Sequence, residues 1–126
     1  MTQPLTVGVV DERGEIAGSY RGIPTCDLGV SCDVLDGCPK AQGLMLLLRA
    51  MNPQVIAVDE ITAEADARAL LRAANCGVRL LATAHGTSAA DLRRRSVYRP
   101  LAESGVFQTL LILRQDKSFR AERAAL

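Results

Sequence analysis

Asn52-Pro53-Gln54-Val55-Ile56-Ala57-Val58-Asp59-Glu60 is the stretch on which the fold turns. Four apolar residues, two of them β-branched valines and one an isoleucine, follow a Pro-containing break and end on two adjacent carboxylates. Such a short continuous apolar run suits a strand buried on both faces, the kind found in parallel sheets. On its N-terminal side, Leu44, Leu47, Leu48 and Met51 recur at helical spacing, so Lys40–Met51 is predicted to be a helix that Asn52-Pro53 ends. On its C-terminal side, Thr62 is predicted to cap a helix over Ala63–Asn75, with Glu64 and Asp66 in the first turn and Gly77 past the end.

Further out, Leu5–Val10 reads as a strand stopping at Asp11-Glu12-Arg13-Gly14, and Val78–Thr83 as another. Thr87 or Ser88 can cap a third, more polar helix running to about Ser96. Leu101–Ser104 reads as a short helical turn broken by Gly105, and Phe107–Leu113 as a last apolar strand. The tail from Gln115 fits a strand, a helix or a frayed end. Residues 14–37 hold five glycines and Pro24 with little apolar periodicity, and are expected to be mostly irregular. Strands alternating with crossover-length helices define an α/β class, a mainly parallel sheet with helices on both faces. Ligands in such sheets bind at the C-terminal ends of the strands. Asp11-Glu12-Arg13, Asp59-Glu60 and Thr83-Ala84-His85 all fall there and should converge on one edge.

Composition narrows the function. At 126 residues and 48% hydrophobic, the chain can bury one core and is expected to be a single domain over 1–126. A net charge of +1 gives no reason to expect nucleic acid or an anionic membrane, and 3% aromatics without tryptophan argue against a base-stacking surface. Arg93-Arg94-Arg95 is one short basic patch, too little to support nucleic-acid binding. The apolar run Leu44–Leu48 is far too short to span a bilayer, and Met1–Val7 lacks the regions of a signal peptide, so an intracellular location is expected. Cys26, Cys32, Cys38 and Cys76 form no Cys-x-x-Cys pair, which favours free thiols over a zinc site.

Each candidate site residue has a chemical and a plain reading. A strand-end acid such as Asp59 can hold Mg²⁺ through its water shell while the adjacent Glu60 polarises a water; alternatively, both merely open a solvated loop. His85 is the only histidine, placed in Thr83-Ala84-His85-Gly86-Thr87. It can report a phosphate by hydrogen bonding, or simply satisfy loop backbone. Glu12 and Arg13 supply an acid and a cation at the first strand's end, or are ordinary turn charges. Arg99, between Tyr98 and Pro100, is the candidate to reach a neighbouring subunit's phosphates; a solvated position is the alternative. A phosphate cradle is missing from these residues. The two lysines, Lys40 and Lys117, follow Pro39 and Asp116, so no Gly-Lys-Ser/Thr sequence is present.

Taken together, these segments resemble the stage III sporulation protein AA family, P-loop ATPases related to the motors of type II and type IV secretion and of pilus retraction. The resemblance rests on Val7–Gly18, Asp33–Ala41 and Pro53–Glu60. It also rests on the match of Asp11-Glu12-Arg13 to the secretion motors' acidic box, Val55–Glu60 to Walker B, and Thr83–Ala89 to the histidine box. It implies the C-terminal part of a RecA-like, AAA-type P-loop core that lacks the Walker A strand, loop and helix, which the family places upstream of Thr6. It further implies Glu60, Glu12 and His85 as catalytic and Asp59 as the Mg²⁺-side residue; Arg13 and Arg99 are the candidates to face ATP on the residues alone. Implied partners are a homo-oligomeric ring, a hexamer, and sporulation membrane-channel proteins, in the mother-cell cytoplasm. Without the phosphate loop, these residues alone are expected to bind ATP and Mg²⁺ weakly and to self-associate. Two alternatives are a non-catalytic interaction module of the same fold and a cysteine-based metal or redox protein.

Overall fold

A computed structural model describes residues 5–14, 16 and 32–123. Four parallel strands form the sheet: β1 (Val7–Asp11), β2 (Cys32–Asp36), β3 (Val55–Val58) and β4 (Arg79–Ala82), in the order β2-β1-β3-β4. The register sets Val9 beside Val34 on one side and Ala57 on the other, with Ala57 beside Leu81. The connections are α1 (Lys40–Ala50) between β2 and β3, and α2 (Glu64–Asn75) between β3 and β4. Both advance across the sheet in the same direction. The right-handed rule for such crossovers therefore seats α1 and α2 on one face, where they pack side by side.

Two glycines allow α1 to lie close on β1. A Cβ on Gly43 would stand 2.7 Å from Val10 Cγ1 and 3.0 Å from Cys38 Sγ, and one on Gly8 2.9 Å from Leu47 Cδ1. The core between helices and sheet holds Val10, Leu44, Leu47, Ile56, Val58 and Leu70. Because side chains alternate along a strand, Val9 and Leu81 face the other way. Val9 is buried there, whereas Leu81 on the edge strand β4 is 65% exposed.

The parallel α/β architecture read from the sequence holds, with local differences. Within the segment expected to be irregular, Cys32–Asp36 forms β2, its alternation hidden by Asp33 and Asp36; residues 15 and 17–31, including Cys26, lie outside the described residues. Thr62 does not cap α2. Ala63 takes the N-cap position, and the Asp66 carboxylate accepts the Thr62 and Ala63 amides at 3.2 and 3.1 Å. Ser88 does cap α3 (Ala89–Arg94), its hydroxyl accepting the Asp91 amide. The short turn is α4 (Arg99–Ser104), ended by Gly105 at φ 71°. The last apolar run starts at Thr109 and stays out of the parallel sheet: β5 (Thr109–Leu113) pairs antiparallel with β6 (Phe119–Arg123). Among the described residues, no helix is long and apolar enough to cross a membrane.

Candidate active site

Parallel strands deliver their last residues to one edge, and the first group there is Asp11, fully buried at the end of β1. Its Oδ1 accepts the Ile16 amide at 3.1 Å, and its carbonyl accepts the Gly14 amide, closing a turn in which Gly14 takes φ 70°. That turn holds Glu12 and Arg13 outward, both exposed. From β3 comes Asp59, buried, its amide donating to Val10 O, and then half-buried Glu60.

Between the β1 and β3 ends lies a group to which the sequence assigned no role at the site. Lys40, the first residue of α1, is only 5% exposed, and its Nζ lies 2.8 Å from Glu12 Oε2 and 3.2 Å from Asp59 Oδ1. Burial by itself pushes the ammonium's pKa down, but the close contacts with Glu12 and Asp59 and their charges outweigh it, and the net direction is upward. Lys40 thus stays charged at neutral pH and ties together β1, β3 and the start of α1. The available signal was its place directly after Pro39 at the start of a helix following a strand, where a side chain turns back over the strand ends.

Glu60 meets His85 from the β4 side, with Oε1 and Nε2 3.2 Å apart and His85 exposed. The loop holding His85 is fixed from behind. Arg95 Nη1 donates to the His85 carbonyl at 3.0 Å, and its Nη2 lies 3.1 Å from Asp91 Oδ2, which also accepts the Thr87 amide. That amide bond first, then the charges of Arg95 and Arg94, hold the Asp91 carboxyl below the usual range. The residue after Glu60 is fixed twice: the Ile61 amide donates to Thr83 O at 2.9 Å, and the buried Tyr98 hydroxyl donates to Ile61 O at 2.8 Å. Tyr98, singled out in the sequence only as a neighbour of Arg99, is the pin that holds the β3 end to α4.

An open cleft of about 330 Å³ runs along this edge, lined by Ile16, Asp59, Glu60, Thr83, Ala84 and His85. Of the expected site residues, Asp59, Glu60 and His85 line it, and Glu12 joins Asp59 through the Lys40 ammonium they share. Arg13 sits on the exposed turn beside Glu12. Arg99 does not join them: its guanidinium donates to the carbonyls of Arg93 and Arg94, both at 3.2 Å, at the end of α3. Asp59 Oδ1 is buried and accepts no hydrogen bond of good geometry, facing only the Lys40 ammonium. Carboxylate oxygen suits a hard divalent cation, but among the described residues no three acids, histidines or cysteines are gathered to cage one. The free thiols lie elsewhere, and burial followed by the Asp33 charge pushes Cys32 away from the reactive thiolate.

Comparison with known proteins bears on the fold and on the family. In structure, the chain is similar to the Legionella pneumophila ATPase DotB, with a TM-score of 0.50 and 17% identity over 94% of this chain and 44% of that one, which speaks to the fold. In sequence, it is 47% identical over 114 residues to the stage III sporulation protein AA of Bacillus subtilis (strain 168), covering 90% of this chain. It spans only 37% of that relative's length. A family model described as "Sporulation stage III, protein AA" matches residues 2–122. The chain belongs to the stage III sporulation protein AA family.

Proposed function

We propose that these residues form the metal-side and water-positioning half of an ATP hydrolysis site. The supporting observation is that β3 and β4 bring Asp59, Glu60 and His85 to one cleft, with Glu60 held against His85, while Glu12 at the end of β1 shares the Lys40 ammonium with Asp59. Mg²⁺ bound with the nucleotide would neutralise phosphate charge. Asp59 would face that ion through water, and Glu60 would orient a water and accept its proton at a carboxylate oxygen. His85, reaching Glu60 from the next strand, would tie the position of that carboxylate to the state of its own exposed loop. The grip on the β- and γ-phosphates would come from a segment outside these 126 residues, since no Gly-Lys-Ser/Thr sequence lies within them. We propose further that the complete protein works as a ring in the mother-cell cytoplasm, driving assembly or transport through a channel to the forespore.

Calorimetry with Mg²⁺-ATP tests the division of labour. This chain alone is expected to give no heat of tight binding, and a longer chain joining it to a phosphate-binding segment is expected to bind. Tight binding by the 126 residues alone would refute the proposal. A second reading, a non-catalytic interaction module, draws on the exposed Leu81, Leu111, Leu113 and Phe119. It predicts that Glu60→Gln and His85→Ala leave the protein's role in sporulation intact.

A further inference from the structure

We propose that the Lys40 ammonium is a resident counter-cation seated where a divalent ion would otherwise contact Glu12 and Asp59, so that its presence and direct metal binding there exclude each other. The proposal rests on the reading of Asp59 as the metal-side residue, and gives a role to a residue to which that reading assigned none.

The geometry is specific. A buried carboxylate oxygen without a hydrogen bond is costly, and Asp59 Oδ1 is such an oxygen except for the cation facing it at 3.2 Å. The same ammonium reaches Glu12 Oε2 at 2.8 Å, so one positive charge bridges acids from two strands. Mg²⁺ and Mn²⁺ take carboxylate oxygens at shorter distances than an ammonium does, and both cannot share one oxygen's inner face. With Lys40 seated, a divalent ion is kept outside the carboxylates' direct contact and is left to bind through water and a nucleotide's phosphates. Lys40 would thereby set the metal requirement of the site: the ion enters with the nucleotide, not before it. Lys40 touches neither substrate nor water in this scheme, and acts as a positioning residue through Asp59 and Glu12.

Mn²⁺ titration of the folded chain, read by the electron paramagnetic resonance of the free ion, tests this without any nucleotide. Wild type and Lys40→Arg are expected to bind Mn²⁺ weakly. Lys40→Met is expected to bind at least about tenfold more tightly, because a unit of like charge has left contact distance, and Lys40→Met with Asp59→Asn is expected to lose that gain. Equal Mn²⁺ affinity in wild type and Lys40→Met would overturn the proposal. Should Lys40→Met fail to fold, amine acylation of the wild type decides, since Lys40 and Lys117 are the two lysines of the chain. Saturating Mn²⁺ is expected to speed the labelling of Lys40 and leave Lys117 unchanged; Lys40 labelling that does not respond would overturn the exclusion. Either failure would leave the hydrolysis reading standing, because that depends on Glu60 and is measured by turnover.

Discussion

Replacing Lys40 by methionine keeps the bulk of the side-chain stem and deletes the charge, leaving the buried Asp59 carboxylate without its cation. At 3.2 Å the pair's attraction is about 5 kcal/mol at an effective dielectric of 20. Desolvation of two groups only 5% and 8% exposed consumes much of it, so the intact pair adds little net stability while a broken one costs about 3–5 kcal/mol. Lys40→Met should therefore destabilise by about 3–5 kcal/mol, and Asp59→Asn by about 2–3 kcal/mol, because Glu12 still faces the ammonium. The double variant, with neither charge, should cost no more than the larger single, giving a coupling energy of at least about 2–3 kcal/mol. Glu12 is 41% exposed, and screening by water limits Glu12→Gln to less than about 1 kcal/mol. Urea unfolding followed by far-ultraviolet circular dichroism, with unchanged m-values, measures all four. Additive single costs, or a Lys40→Met loss below about 1 kcal/mol, would refute the buried bridge.

Tyr98→Phe leaves the Ile61 carbonyl without its donor and should cost about 1–3 kcal/mol in the same assay; an unchanged midpoint would mean the hydroxyl does not hold the β3 end. Two pH effects follow from opposite shifts. Lys40 has its pKa raised by the fold, so its contribution is full below the ordinary lysine value of about 10.4 and disappears as pH climbs through the raised one. Wild type should thus lose stability above that pH more steeply than Lys40→Met. Asp91 has its pKa lowered, so its contribution is present above about 3.9 and is lost as pH falls through the depressed value. Asp91→Asn should flatten that acid limb, and identical acid curves would disprove the role of the Thr87 and Arg95 contacts.

How far the sequence announced this arrangement depended on which forces leave a pattern in it. Val55–Val58 and Arg79–Ala82 were legible because strands in a parallel sheet are apolar runs bounded by turn residues. Their polar ends then marked the cleft, which is why Asp59, Glu60 and His85 were found together. Cys32–Asp36 escaped because a sheet-edge strand tolerates acids, and Asp33 and Asp36 break the apolar run. The β5–β6 hairpin was half visible: Thr109–Leu113 is apolar, but Phe119–Arg123 alternates few apolar residues, and only the turn with Lys117 at φ 68° joins them. Lys40 was hidden for a deeper reason. Burial of a charge depends on partners 28 and 19 residues away along the chain, and no local periodicity encodes that. Arg99, expected to face a neighbouring subunit rather than this cleft, donates its guanidinium to the carbonyls ending α3.

Steady-state ATP hydrolysis by a longer chain that joins these residues to a phosphate-binding segment, with Glu60→Gln beside wild type, tests the central claim most directly. Removing a positioned base from water activation should lower turnover by about 10²–10⁴-fold while Mg²⁺-ATP still binds. Turnover equal to wild type in the Glu60→Gln protein would contradict the account.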